Sequence, residues 1–229
     1  MGCRVIALAR SEDKLQKVVD GLEGQGHLAL THDLGDRDGL ATKVSEVLGN
    51  GNIHILVNNT AGPKPGPIAE ADEDNFLDGF QKHILVGSLL VKLALPGMKA
   101  DQYGRVINII STSVKAPIPN LGVSNTIRGA MASWAKTLSS EVAPFGITVN
   151  NVLPGFTSTP RLANLIKAAA ERQGRPIEEV TEEWKNRVPA KRFAEPAEVA
   201  AAAAFLASPA AAYINGINVP VDGGRTVCL

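Results

Sequence analysis

The sequence contains very little cysteine. Cys3 and Cys228 lie near opposite ends of the chain, and they have neither the number nor the spacing of a disulfide framework or a zinc site. This scarcity excludes the small secreted domains that depend on disulfides. It favours a reducing compartment, and we therefore expect a cytoplasmic protein.

The sequence also lacks a net charge and a long apolar run. Lysine plus arginine and aspartate plus glutamate each number 23, so the formal charge is zero. This balance argues against a nucleic-acid surface or a partner membrane. No apolar run has the length of a membrane span, and we expect no signal peptide at the start. The 229 residues predict a single domain over residues 1–229.

The chain does have short β-branched runs that alternate with amphipathic segments. Apolar residues recur at steps of three and four in the latter, as at Ile127, Met131 and Trp134, which is typical of helices. Strands alternating with helices at this pace predict an α/β fold, a Rossmann-like doubly wound parallel sheet with helices on both faces. The predicted strands are residues 4–9, 28–30, 53–57, 105–110 and 147–153. A long helix is expected over about residues 71–98.

Three segments resemble the short-chain dehydrogenase/reductase family, of the 3-oxoacyl-carrier-protein-reductase-like kind. They are ILVNNTAG at 55–62, SSEVAPFGITVNNVLPG at 139–155 and YINGINVPVDGG at 213–224. The resemblance implies transfer of a hydride between NADP(H) and a carbonyl or secondary alcohol. It also implies a small-molecule or acyl-thioester substrate, by default a 3-oxoacyl thioester, and a homodimer or homotetramer.

The catalytic positions of the family are altered in this chain. The resemblance places the family's serine at Ser111, at the end of the predicted strand 105–110. Where the family has tyrosine and lysine, this sequence has Ser124 and Arg128, and SNTIR resembles a divergent subgroup that reads Ser-Asn-x-x-Arg. A serine hydroxyl is a far weaker acid than a phenol, and arginine stays protonated. Arg128 is therefore expected to bind cofactor ribose or an anion, or to stabilise an oxyanion.

Cofactor positions follow from the same resemblance. Arg10, directly after a strand, matches a basic residue that contacts the 2′-phosphate of NADP, which favours NADP over NAD; the alternative is a solvated surface arginine. Asp33 is expected either at the adenine ring or as the cap of the next helix, and Ser11 as the cap of the first helix. The full set of cofactor candidates is Arg10, Ser11, Asp33, Leu34, Asn59, Ala61, Gly62, Arg128, Pro154, Gly155, Thr157 and Thr159.

Two further segments have weaker assignments. His83 stands near the place of a catalytic asparagine in the family, but a histidine on a packed helix is more often structural, and we expect a structural role. Residues 160–192 resemble the substrate lid within the domain. No group of residues predicts a metal site.

The front of the chain departs from the family as well. The pattern G-x-x-x-G-x-G, expected in a first strand–turn–helix unit, does not occur in this sequence. We therefore expect poor dinucleotide binding, and a strand at 4–9 that either stands apart from strand 53–57 or slides over to pair with it. Two alternatives remain open: a catalytically impaired dinucleotide-fold protein that acts in binding or assembly, and a fragment of a longer enzyme.

Overall fold

The computed structural model describes residues 2–49 and 51–228, and in it strands and helices alternate as the sequence predicts. The strands are β1 (Ile6–Ala9), β2 (Leu28–Thr31), β3 (Ile55–Asn58), β4 (Gly104–Ile109), β5 (Ile147–Pro154) and β6 (Asn218–Val221). The helices are α1 (Glu12–Asp20), α2 (Arg37–Leu48), α3 (Glu73–Phe80), α4 (Val86–Ala100), α5 (Gly122–Val142), α6 (Pro160–Gln173), α7 (Ile177–Asn186) and α8 (Pro196–Ala207).

Four of the strands form one parallel sheet in the order β3-β4-β5-β6. Successive side chains of a strand point to opposite faces, and β4 shows this clearly. Val106 packs in a cluster with residues of α4 and α5, whereas its neighbour Ile107 packs in a cluster with Leu206 of α8. The sheet therefore has helices on both faces, which confirms the predicted fold class.

Strands β1 and β2 form a separate two-stranded parallel sheet. Of the two expected arrangements, the structure has the one in which the first strand stands apart from β3. The two sheets are connected through a cluster in which Leu8 and Leu30 pack with Leu40 and Val44 of α2. On the β3 side of this break, Val57 is 48% exposed, so apolar surface of the sheet is left uncovered.

The predicted helix 71–98 is a continuous helical segment, Glu73–Ala100, in which a π-helical turn, Gln81–Leu85, joins α3 to α4. By length and composition alone this segment could cross a membrane. The sequence analysis did not predict this, because the segment contains no uninterrupted apolar run of that length. Its buried residues Val91, Ala94 and Met98 pack against the sheet, as in the core helix of a globular domain.

Candidate active site

The candidate residues gather at one edge of the four-stranded sheet, where the parallel strands end at their carboxyl termini. β3 leads into Asn59–Gly62, β4 into Ser111, and β5 into Gly155–Thr159. Ligands of open α/β sheets bind at this edge, outside the carboxyl ends of the strands.

Ser111 begins the short 3₁₀ turn Thr112–Val114, and its Oγ accepts a hydrogen bond of 3.0 Å from the Ser113 amide. The hydroxyl hydrogen of Ser111 stays available to a substrate oxygen. Ser113, which the sequence analysis did not single out, is buried, and its Oγ has no hydrogen-bond partner. Two serine hydroxyls, those of Ser111 and Ser113, therefore lie in this turn. In the sequence, only the repeated serine of Ser-Thr-Ser indicated Ser113.

Ser124 and Arg128 lie one turn apart on α5, and both are buried, with 5% and 7% of their surface exposed. The start of α5 is held in two ways. Gly122 lies so close to the backbone of Ile68 that a Cβ there would come within 2.6 Å of its Cα. Asn125 donates from Nδ2 to the carbonyl of Ile118 at 2.9 Å, which ties the preceding loop to the helix. The asparagine of the Ser-Asn-x-x-Arg sequence is thus a structural residue.

The guanidinium of Arg128 is incompletely bonded. Its Nη1 donates to the carbonyl oxygen of Ile109, at the end of β4, over 2.7 Å, while its buried Nε has no partner. Burial, assisted by the nearby positive charge of Arg161, lowers the pKa of Arg128 to about 10. Arg128 therefore remains a cation at neutral pH, beneath the edge where a ligand would bind.

His83 lies in the π-helical turn and links it to the loop after β3. Its Nε2 is 3.1 Å from the carbonyl oxygen of Ala61, and its Nδ1 is 2.5 Å from Oγ1 of Thr60. A carbonyl can only accept, so Nε2 donates and Nδ1 accepts from the threonine hydroxyl, which is the neutral tautomer. Burial, and then the positive charge of Arg128, lower the pKa of His83 to about 4. These contacts agree with the structural role expected for His83, although the ring lies beside the site.

Arg161, at the start of α6, joins the site from the opposite side. Its Nη1 donates to the carbonyl oxygen of Gly62 at 3.2 Å, so the predicted lid is connected to the loop after β3. A Cβ at position 62 would lie 2.6 Å from Arg161 Nη2, so the glycine lets the guanidinium approach the backbone of this loop. Sequence analysis missed Arg161, because a contact between residues 99 positions apart leaves no local pattern.

The segment after β5 is a closely packed turn that leads into α6. Gly155 is required because a Cβ there would come within 2.6 Å of Asp222 Cβ. Thr159 is the N-cap of α6, and its Oγ1 accepts from the Leu162 amide at 3.4 Å and donates to the carbonyl of Thr157 at 3.2 Å. Pro154 ends β5 beside this turn. The predicted nicotinamide contacts therefore lie together at the carboxyl end of β5.

The candidates for the adenine end lie at the carboxyl ends of β1 and β2, and two capping predictions are wrong there. Ser11 is at the N-cap position of α1, but its side chain makes no capping bond. Asp33 does not cap α2; its carboxylate accepts from the Gly35 amide at 2.8 Å, and the cap is Asp36. Leu34 packs against the core cluster of α2, while Arg10 is exposed after β1.

The predicted lid is mostly helical and has a small core of its own. Leu162 and Ile166 of α6 pack with Val180 of α7, and Phe156 stacks on Trp184 with 4.9 Å between ring centroids. Phe156, directly after β5, packs against this cluster, and the guanidinium of Arg225, after β6, lies over its ring. The helices of residues 160–192 are therefore packed against the segment that follows β5.

These contacts test the fit of a dinucleotide. Both ends have candidate contacts. Thr157 and Thr159 lie at β5, where each hydroxyl already donates to a backbone carbonyl and keeps an oxygen lone pair for a cofactor amide, and Arg10 offers a cation after β1. The pyrophosphate has no such contact, because β1 passes into α1 through Arg10-Ser11, and no strand-to-helix turn within residues 2–49 and 51–228 has the G-x-x-x-G-x-G pattern. The described residues thus contain candidate contacts for both ends of the dinucleotide without a phosphate cradle between them.

The chain is similar to known proteins over nearly its whole length. A family model described as enoyl-(acyl carrier protein) reductase matches residues 1–226. The chain is 30% identical to the NADPH-dependent reductase BacG of Bacillus subtilis over 200 residues, 86% of this chain and 76% of the relative. It is 31% identical to the 3-oxoacyl-[acyl-carrier-protein] reductase FabG of Vibrio cholerae over 226 residues, 97% of this chain and 87% of the relative.

A similar solved structure is that of an actinorhodin polyketide ketoreductase with NADPH. It superposes with a TM-score of 0.91 at 29% identity, over 98% of this chain and 88% of that chain. The similarity extends through the sheet, the site edge and the lid.

Proposed function

Because this chain belongs to the short-chain dehydrogenase/reductase family, we propose that it is an oxidoreductase that transfers a hydride between NADP(H) and a carbonyl or secondary alcohol. The observation that carries the proposal is the arrangement of Ser111, Ser124 and Arg128 at the end of β4, next to the Pro154–Thr159 turn at the end of β5. A 3-oxoacyl thioester is one candidate substrate, in keeping with the names of the relatives.

Each cofactor candidate has a proposed role in binding. Thr157 and Thr159, with the backbone of Pro154 and Gly155, hold the carboxamide of the nicotinamide. Asn59, Ala61 and Gly62 let the ribose lie close to the backbone, and the remaining candidates, Arg10, Ser11, Asp33 and Leu34, surround the adenosine end. When bound, the cofactor supplies the hydride.

The protein's own residues act on the carbonyl oxygen. The hydroxyls of Ser111 and Ser124 donate hydrogen bonds to it, which orients the carbonyl and stabilises the charge that develops on the oxygen. The cationic guanidinium of Arg128, one helical turn from Ser124, lowers the energy of that charge further. The usual proton donor, a phenol with its pKa lowered by a lysine, is replaced, and a Ser124 hydroxyl is a weak general acid.

This replacement favours a second candidate function, binding or assembly without turnover. One experiment separates the two: oxidation of NADPH is followed at millimolar cofactor with a panel of ketones, 3-oxo acids and 3-oxoacyl thioesters. Turnover that falls in a Ser111→Ala variant supports the reductase. Cofactor and ligand binding without any turnover supports the second function instead.

We further propose a cytoplasmic homodimer or homotetramer. Leu77 and Phe80 on α3, and Phe205 on α8, are large apolar side chains that are 67%, 43% and 51% exposed. Helices that expose such side chains can bury them against the same helices of a second copy of the chain. Light scattering at micromolar concentration tests this: an oligomer is expected, and a monomer alone would contradict it.

A further inference from the structure

Among the residues that the structure describes, two arginines are buried, and their surroundings differ. Arg105, 2% exposed, donates to three backbone carbonyl oxygens and stacks on the ring of Tyr103. Arg128, 7% exposed, has one hydrogen bond, to Ile109, and a buried Nε without a partner. A buried donor without a partner costs free energy. Arg105 is thus bonded as a structural residue, whereas Arg128 has unused hydrogen-bonding capacity.

Arg128 has no carboxylate in contact among the described residues. Within residues 2–49 and 51–228, no carboxylate lies within 4.0 Å of the guanidinium of Arg128 or of Arg161. The two cations are close enough for Arg161 to lower the pKa of both Arg128 and His83. His83 is neutral, and the nearby carboxylate of Asp78 is paired with Lys82 rather than with either arginine. Buried charges in proteins are normally paired.

The two cations lie at the edge of the sheet where ligands of open α/β proteins bind. Arg128 is bonded to the end of β4 and Arg161 to the loop after β3, so they approach the carboxyl edge of the sheet from α5 and from the lid. A planar guanidinium fork matches a carboxylate in shape and hydrogen-bond geometry. The lid residue Arg161 is exposed and so is accessible to a ligand that enters.

We propose that Arg128 and Arg161 bind the carboxylate of the substrate, and that the substrates of this site are 2-oxo or 3-oxo acids rather than their neutral thioesters. Ser124 and Arg128 are neighbours at i and i+4, about 5–6 Å apart at their Cβ atoms. The side chains of Ser124 and Arg128 lie on one face of α5, so a ligand that meets Ser124 with its carbonyl oxygen and Arg128 with its carboxylate carries both groups in one molecule. The 2-oxo and 3-oxo acids are the simplest compounds of this kind.

That the substrate's carbonyl is the reacting group rests on the proposed function. That the two arginines bind a carboxylate does not rest on it. Binding is therefore measured without NADPH, by isothermal titration with malonate, which cannot be reduced, against neutral malonamide. Malonate is expected to bind and malonamide is not. Arg128→Gln and Arg161→Gln should each weaken malonate binding by about ten- to a hundredfold, the usual effect of losing a hydrogen bond to a charged group.

Two variants make the test independent of folding defects. Arg172→Gln removes an exposed cation from the same helix as Arg161, and it should leave malonate binding unchanged. Arg128→Lys keeps the charge without the fork and should bind malonate with an intermediate affinity. Equal binding of malonate and malonamide, or an equal loss in Arg161→Gln and Arg172→Gln, would overturn the proposal.

Turnover is then measured with acetoacetate and with acetoacetamide at millimolar NADPH. A protein that binds malonate through both arginines but reduces neither compound would refute the proposed reductase function and leave acid recognition intact. A protein that reduces both compounds equally well would support the reductase and refute acid recognition.

Discussion

Asn108 on β4 donates a side-chain hydrogen bond of 2.8 Å to Asn151 on β5, directly opposite it in the sheet. The same bond recurs on either side. Asn58 of β3 donates to Asn108 at 2.9 Å, and Asn151 donates to Asn218 of β6 at 2.8 Å. Each pair is in register, so one row of amides crosses all four strands with its dipoles in one direction. The row fixes the alignment of the strand ends that carry the site.

The amide row should contribute strongly to stability. Asn108→Ala removes two hydrogen bonds and leaves amide groups of Asn58 and Asn151 unpaired inside the protein, which should lower the free energy of unfolding by about 3 kcal/mol. Asn218→Ala, at the end of the row, breaks one bond in a half-buried place and should cost about 1 kcal/mol. Urea denaturation measures both, and equal losses would contradict the role of the row.

The sequence predicted those parts of the fold that follow from local pattern. β4 and β5 lie close to their predicted bounds, and α5 contains the periodic residues Ile127, Met131 and Trp134, because β-branched runs and apolar residues at helical spacing leave one way to bury them. The separation of β1 from β3 was one of two arrangements that the sequence left open, and it took the structure to decide between them. Ser11 stands at the N-cap position of α1 without a capping bond, and of the two roles expected for Asp33 the helix cap is wrong, since Ser, Asp and Asn side chains compete for the same backbone amides in such loops.

The charge pattern of the site could not be predicted. Ser111, Ser124 and Arg128 came from the family spacing, yet nothing in the spacing shows that Arg128 lacks a carboxylate. His83 contacts Thr60, 23 residues away, and Arg161 contacts Gly62, 99 residues away. Such contacts depend on how β3, α4 and the lid pack, which no single segment encodes.

His83 should make stability depend on pH. Its folded pKa of about 4 is below the value of 6.5 for an unperturbed histidine. Between these values the unfolded chain binds a proton that the folded chain does not, so stability falls as the pH is lowered from 6.5 through 4. The loss should approach about 3 kcal/mol below pH 4. Arg128, Arg161 and Asp78 are the charged groups that act on the ring.

A His83→Gln variant tests this dependence. Its free energy of unfolding should vary less with pH across the same window, measured by urea denaturation at several pH values. Two curves that run parallel would show that the slope comes from other groups.

NADPH should bind weakly to the 229-residue chain. The described residues offer contacts for the two ends of the dinucleotide but no backbone cradle for its pyrophosphate, where helix N-termini normally contribute. Isothermal titration should give a dissociation constant well above the micromolar range. Micromolar binding would show that another part of the chain holds the phosphates.

The preference between NADPH and NADH should depend on Arg10. Its exposed guanidinium follows β1, and Arg10→Asp replaces the cation with a charge that repels the 2′-phosphate. The variant should bind NADPH about tenfold or more weakly, by loss of a charged hydrogen bond, with little change for NADH. Arg172→Asp makes the same change of charge in the last turn of α6 and serves as control. Unchanged titration curves for both cofactors would eliminate Arg10 as the discriminating residue.

Restoring the proton donor should raise the rate with uncharged ketones. Ser124→Tyr combined with Arg128→Lys reinstates the phenol and the amine of the family, and general acid catalysis contributes about 10²–10⁴ in rate. We expect low activity in the unaltered protein and at least about a tenfold gain in kcat for the double variant at millimolar NADPH. Each single change should do little, because the phenol and the amine act as a unit. The substrate is a neutral ketone so that carboxylate recognition does not enter the comparison, and circular dichroism checks that each variant folds. High activity in the unaltered protein that is lost in Ser124→Tyr would mean that the Ser124 hydroxyl is itself required, and that this chain moves the proton by a route of its own.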